Sequence, residues 1–382
     1  MKILVLGGDG YLGWPTAMHL SARGHSVAVA DNYLRRRLCR EEDVAPLYAV
    51  PDLEERIAAW QAVSGLSIRP YIGDLKEWVF ISKVFSDFTP DAVVHYAEQP
   101  AAPYSMLNRP AAALTLENNL MVTANTIFAV REFCPGAHIV KLGTMGKYGT
   151  PNIDIEEGWL DVEHNGRRQT FLFPRQAGSL YHTTKIMDTD LLWFYVRVWD
   201  LRVTDLMQGP VYGIFTDETG RDEKLLSFFN YDELFGTVLN RFIVQAVAGI
   251  PLTVYGKGGQ PRGYLNIKDT LNCVRLALEN PADKGELRIF NQFTETFTVN
   301  ELAERVQQAG DALGLDVAIQ HIENPRVEAE EHFYNPKHTG LLDLGLEPNR
   351  LTEEVLKDLL TFIKGHRNKI ATERIFRGTT WK

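Results

Sequence analysis

The chain has 382 residues, of which 45% are hydrophobic and 23% charged, and its formal net charge is -9. That length allows one large or two interleaved units with a substantial core, and so mild an acidity gives no reason to expect nucleic acid or an anionic membrane as partner. No apolar run reaches the length of a membrane span, and Cys39, Cys134 and Cys273 lie too far apart for a disulfide framework or a zinc site, so no metal is expected. Scattered thiols fit a reducing compartment, and a first strand beginning at Lys2 leaves no room for a leader, so the expected location is the cytoplasm. The basic run Arg35-Arg36-Arg37 and the basic tail 367–382 read as solvated faces.

In chain order, residues 3–6 (Ile-Leu-Val-Leu) form an apolar run predicted to be a buried strand. A helix follows over 15–23, closed by Gly24, and a second strand over 27–30. Further strands are predicted at 68–72, 92–95, 139–142 and 203–207, with helical patterns between them. Strands alternating with helices predict an α/β fold: a Rossmann-type, doubly wound parallel sheet covered on both faces. Beyond Gly209-Pro210 the chain breaks into shorter pieces, with one helix at 299–313. Residues 1–208 are therefore read as a dinucleotide-binding domain. Residues 209–382 are read as a smaller substrate-binding α/β part, with some segments returning to the first.

Between the first strand and helix stands Gly7-Gly8-Asp9-Gly10-Tyr11-Leu12-Gly13, with glycines at positions 7, 10 and 13. Strand, glycine-rich turn, helix and second strand in this order are the pattern of a dinucleotide site. The backbone must approach a pyrophosphate, and the helix N-terminus offers it unpaired N–H groups. Asp31 closes the second strand, where a carboxylate accepts from ribose hydroxyls and repels a 2′-phosphate, so NAD is expected over NADP. The arginines at 35–37 are the feature that would favour NADP instead. Asp74 and Leu75, after the third strand, are placed to meet the adenine, and Asp74 is also suited to cap a helix. Tyr11, Leu12, Asn32, Asn118 and Val211 complete the expected cofactor surroundings.

Tyr181-His182-Thr183-Thr184-Lys185 places Tyr181 and Lys185 on one face of a helix. A phenol with an ordinary pKa near 10 is a poor base at neutral pH. A lysine ammonium beside it favours the phenolate, which can take a proton from a sugar hydroxyl. Gly143-Thr144 ends the fifth strand, so Thr144 is expected to face the reacting group. The same helix runs on through Leu191-Leu192-Trp193-Phe194-Tyr195-Val196, apolar nearly all round; such a helix is deeply buried or shared with a second subunit, and a homodimer is expected.

Together these residues resemble the extended short-chain dehydrogenases that modify nucleotide sugars. Glu98-Gln99, Ala102 to Met106, Gly143 to Gly146, Tyr148 to Asn152, Val254 to Gln260, Asn291 to Glu295 and Asn324 to His332 further resemble the UDP-sulfoquinovose synthase family. That resemblance implies NAD, a UDP-glucose substrate and sulfite. It also implies a route in which Tyr181 deprotonates the C4 hydroxyl and the 4-ketone lets C5 lose its proton and C6 its hydroxyl. Sulfite then adds at C6. His182 becomes a candidate for proton transfer at C5 or C6. Gln99, Gln208, Gln260, Arg262, Arg326 and Glu328 are assigned with Thr144 to the nucleotide sugar, the arginines because they grip phosphate oxygens in pairs.

Two positions depart from the family's pattern. Pro100 stands where arginine follows the Glu-Gln pair, and Lys147 where a glutamate follows Met145 by two residues. Lys147 would alter acid/base chemistry or attract an anionic substrate. The ordinary 4,6-dehydratases carry Asp-Glu after the threonine, and Met145-Gly146 has neither. A nucleotide-sugar 4-epimerase needs only Thr144, Tyr181 and Lys185 and is the alternative reading. A non-catalytic NAD sensor is a third, and it would have no use for an intact Tyr181 and Lys185.

Overall fold

The computed structural model describes residues 1–326, 333–376 and 379–381. Seven strands form the central sheet: β1 (Lys2–Leu6), β2 (Ser26–Asp31), β3 (Ile68–Ile72), β4 (Ala92–His95), β5 (His138–Leu142), β6 (Arg202–Gln208) and β7 (Glu286–Gln292). Their order across the sheet is β7-β6-β5-β4-β1-β2-β3, and every pairing is parallel. The order reverses between β1 and β4, which opens a crevice beyond their carboxyl ends.

The pleat explains why these strands are apolar on both sides. In β1, Leu4 and Leu6 point into one core, with Phe85, Val122, Ile127 and Val196. Ile3 and Val5 point into the other, with Trp14, Met18, Trp60 and Val274. Helices Trp78–Phe88, Arg109–Phe133 and Leu180–Trp199 cover the first face; Gly13–Ala22, Leu53–Ser64 and Ile267–Glu279 cover the second. A third core joins helices Val238–Ala248, Val299–Ala312 and Glu353–Gly365 beneath the parallel pair Leu252–Tyr255 and Ile319–Ile322.

The first six strands fall within a residue or so of where the apolar runs predict them. The apolar runs do not predict β7, which comes from the second half of the chain, or the antiparallel hairpin Trp159–His164 and Arg167–Leu172. The helix bearing Tyr181 is not buried all round. Leu192 and Val196 enter the core, whereas Phe194 is 49% and Val198 54% exposed.

Neither basic segment is simply a solvated face. Arg36 is half-buried, grips both oxygens of the buried Asp9 at 2.7 and 2.8 Å and donates to the carbonyls of Val50 and Pro51. Only Arg37 is exposed. The tail folds back: Ile375 is fully buried, and Trp381 donates from its backbone to Pro325 and from its indole to the Gly178 carbonyl at 3.1 Å.

Candidate active site

A cleft of about 810 Å³ lies along the carboxyl ends of the strands. Its size sits high in the ~300–1,000 Å³ range usual for ligand clefts. Gly7, Gly10, Tyr11, Leu12, Gly13, Asp31, Asn32, Asp74, Leu75, Asn118 and Val211 line one end. Gly7 has φ +84°, and a Cβ there would lie 2.8 Å from the backbone of Tyr96 and Ala97. At Gly13 a Cβ would fall on the Gly7 carbonyl. The bare backbone thus leaves a cradle at the start of the Gly13–Ala22 helix.

Asp31 faces the same end. Its two carboxylate oxygens accept from the backbone N–H of Asp9 at 2.9 Å and of Tyr33 at 2.7 Å, which still leaves lone pairs for ribose hydroxyls. Burial, with the neighbouring Asp9 carboxylate, raises this carboxyl to about 6. Of the three arginines at 35–37, only Arg35 lines the cleft, with its guanidinium 4.1 Å from the Phe235 ring. Arg36 is committed to Asp9 and is not displayed to a 2′-phosphate. Cradle and carboxylate together fit NAD.

Thr144, Tyr181 and His182 line the middle of the cleft. Ser179 caps the Tyr181 helix by accepting from the His182 N–H at 3.2 Å, which sets Tyr181 and Lys185 in the first two turns. Lys185 lies behind Tyr181, 5.8 Å from its ring, and donates to the Leu142 carbonyl at 2.5 Å. Burial raises the Tyr181 phenol above its ordinary value, and Lys185 opposes that rise. The His182 imidazole meets Ser179 Oγ through Nδ1 at 3.0 Å. Burial, followed by the nearby Arg326 and Arg262 charges, lowers it to about 3, so the ring is neutral at physiological pH.

The far end is contributed by the second half of the chain. Gln208, Gln260, Arg262 and Arg326 line it, as do Glu233, Arg241, Tyr255 and Trp381, which the sequence reading did not single out. Among the described residues, Gln208 Oε1, Gln260 Oε1 and Arg326 Nε are buried there without a hydrogen-bond partner. Orphaned donors and acceptors of this kind suit a polar ligand. The Arg326 guanidinium lies between the rings of Tyr255 (5.8 Å) and Trp381 (5.1 Å).

One proposed substrate contact does not reach the cleft wall. Gln99 is buried beneath it, and its amide is used by Ala101 and Thr115 in holding the loop after β4. Glu328 lies outside the described residues. Pro100 does line the cleft. Lys147 corrects the expectation attached to it: fully buried, it points inward to Asp205 at 2.8 Å and Thr189 at 2.5 Å, where it offers nothing to an anionic substrate.

An open parallel sheet with a glycine cradle at its switch point and a tyrosine–lysine pair across the crevice defines a Rossmann-type dinucleotide enzyme. The model of the NAD dependent epimerase/dehydratase family matches residues 3–291; the chain belongs to that family, and its cofactor is NAD. It is 49% identical over 381 residues to the chloroplastic UDP-sulfoquinovose synthase of Spinacia oleracea, covering 100% of this chain and 79% of the relative. It is 47% identical over 367 residues to the UDP-sulfoquinovose synthase of Sulfolobus acidocaldarius, covering 95% and 93%. Among solved structures, the UDP-glucose 4-epimerase of Bifidobacterium longum in complex with NAD+ and UDP superposes with a TM-score of 0.72 at 18% identity, covering 97% of this chain and 100% of the other. The UDP-glucose 4-epimerase of Thermus thermophilus superposes with a TM-score of 0.66 at 23% identity, covering 96% and 99%. At such identities these structures speak for the fold alone.

Proposed function

We propose that the protein converts UDP-glucose and sulfite into UDP-sulfoquinovose through a 4-keto sugar. The observation that carries this reading is the 47–49% identity, over nearly the whole chain, to two proteins named for that activity. The residue roles proposed from the cleft are consistent with it. NAD, when bound in the glycine cradle, supplies the hydride acceptor at C4 and returns the hydride at the end. Tyr181 takes the proton of the C4 hydroxyl, Lys185 favours its phenolate, and Thr144 holds the same hydroxyl in line. Arg326 and Arg262 grip the diphosphate, with Gln260 and Gln208 on the remaining polar groups. His182, which lines the middle of the cleft, is the candidate for proton transfer at C5 or C6 once the C4 ketone has acidified the C5 hydrogen.

A 4-epimerase would share Tyr181, Lys185 and Thr144 but would leave C5 untouched. Reaction in deuterated water separates the two readings. Deuterium at C5 with a mass gain on adding sulfite is expected; an unlabelled C4 epimer would overturn the synthase reading. We further propose a cytoplasmic homodimer. The free thiols fit a reducing compartment, and among the described residues no helix is long and apolar enough to cross a membrane. Met187, Phe194 and Val198 are exposed on the Tyr181 helix, and Met121 and Phe128 on the Arg109–Phe133 helix that packs beside it through Phe128 and Tyr195, apolar surface suited to a second copy.

A further inference from the structure

Behind Tyr181 the wall of the cleft is ionic. Glu98 follows β4, beside the point where the strand order reverses, and it lines the cleft although its side chain is only 2% exposed. One carboxylate oxygen makes a close ion pair with Lys185 and the other with Lys141 of β5. Lys141 lies 3.2 Å from Asp188, which is on the Tyr181 helix one turn beyond Lys185. All four side chains are buried. Nothing in packing asks for this quartet, since apolar side chains of similar volume are often as stable as a buried ion cluster. What the quartet supplies is place and charge. The Leu142 carbonyl and Glu98 occupy two directions around the Lys185 ammonium and so fix its place behind the Tyr181 ring.

We propose that Glu98 is the positioning residue of the Tyr181–Lys185 pair: it pins the Lys185 ammonium behind the phenol, while Lys141 balances its carboxylate so that the phenol still feels a positive charge. This rests on Tyr181 being the base.

The groups facing Tyr181 support the balance. His182, Lys185 and Asp188 come from its own helix, His95 and Glu98 from β4 and the loop after it, and Lys141 from β5. Lys147, paired with Asp205 of β6, lies beyond. Burial holds His95 well below its ordinary value and lowers His182, so neither carries charge at neutral pH. The field at the phenol combines Lys185, which favours the phenolate, with Asp188, which opposes it, and Glu98 beside Lys185; burial pulls Lys141 well below and Lys147 below their ordinary values against the pull of Asp188 and Asp205, and the Arg326 and Arg262 charges reach the neighbouring His182 from across the cleft. Removing one member of the quartet tips that field by a full charge, and at distances of ~10 Å in an effective dielectric of ~20 a unit charge moves a titration by roughly one pH unit.

The test uses NAD-loaded full-length protein carrying a fluorotyrosine at position 181, whose fluorine resonance reports that phenol alone. Glu98→Gln should lower the phenol's titration midpoint by roughly one pH unit, Lys141→Met should raise it by about as much, and the double variant should return close to the wild type. Glu98→Gln should also reduce kcat by about tenfold or more while leaving the KM for UDP-glucose within about twofold, as expected of a lost positioning contact. Midpoints that stay put, or that move in the same direction in both single variants, would overturn the proposal, as would a Glu98→Gln enzyme of normal kcat. Should Glu98→Gln fail to fold, Lys141→Met and the charge-balanced double variant still decide it. The resonance reads the phenol whether or not UDP-glucose turns over, so failure of the synthase reading would appear separately, as an inactive wild type.

Discussion

Replacing Lys147 by methionine tests whether this departure from the family's pattern is a matter of the core or of the cleft. The ammonium is fully buried against Asp205 at 2.8 Å, and the Asp205 side chain is itself fully buried. Methionine fills similar volume but orphans a buried carboxylate, which typically costs about 3–5 kcal/mol. Unfolding entropy of ~2.1 cal/mol/K per residue over 382 residues gives roughly 0.8 kcal/mol/K, so Tm should fall by about 4–6 °C. Burial works against the Asp205 charge, but Lys147 and Thr189 outweigh it and hold the carboxyl below its ordinary value of 3.8. A depressed carboxyl contributes stability above its unfolded pKa and loses it as pH falls through the folded one. The gap between wild type and Lys147→Met should therefore be widest near neutrality and narrow below about pH 4. A Lys147→Met/Asp205→Leu double variant, with no orphaned charge, should recover most of the loss. Calorimetry across pH, with NAD binding measured alongside, is the assay. An unchanged Tm for Lys147→Met, or a double variant no better than the single, would refute the reasoning. Lost NAD or UDP-glucose binding in a well-folded Lys147→Met protein would put the lysine back in the cleft.

Tyr181→Phe keeps the ring and removes the oxygen; turnover should fall at least about 100-fold while NAD stays bound, as read by product formation and cofactor content. Asp31→Ala should lose the preference for NAD over NADP. In the wild type, NAD affinity should weaken as pH falls through about 6, where this raised carboxyl takes up its proton, and titration calorimetry should show no such step in the variant. Arg326→Ala removes charged hydrogen bonds worth about 1.5–3 kcal/mol, so UDP-glucose should bind about 10- to 150-fold more weakly with NAD affinity unchanged.

What could be read from the sequence was whatever local physics fixes. Strands β1 to β6 are short apolar runs because helices bury both their faces, and the glycine loop is legible because a Cβ at Gly7 or Gly13 would collide with backbone. Strand β7, Glu-Leu-Arg-Ile-Phe-Asn-Gln, alternates polar with apolar residues only over its first four positions and ends on two polar ones, and so lacks the continuous apolar run that marks the others. The hairpin did carry a signal. Asn165-Gly166, both at positive φ, is the two-residue turn that favours a tight reversal, but the residues next to it, Glu163-His164 and Arg167-Arg168-Gln169, are polar and exposed, and the half-buried Trp159, Leu160 and Leu172 lie at the far end of the hairpin.

The cleft divides along the same line. Its glycine loop and its Tyr181 helix are each continuous in sequence, so spacing alone reveals them. Its far end is assembled from Glu233, Arg241, Tyr255, Gln260, Arg326 and Trp381, residues brought together only when the second half of the chain packs over the sheet. The ionic wall behind Tyr181 is more dispersed still, drawing on positions 98, 141, 185 and 188. One clue was present in Lys141, a charge in the middle of the Ile-Val-Lys-Leu strand, with no water to receive it. Burying an ammonium is costly enough that such a lysine in a strand of this kind requires a carboxylate from elsewhere in the fold. The sequence therefore states that a partner exists. Only the sheet order, which sets β5 beside β4 and the Tyr181 helix across both, identifies it as Glu98 and Asp188.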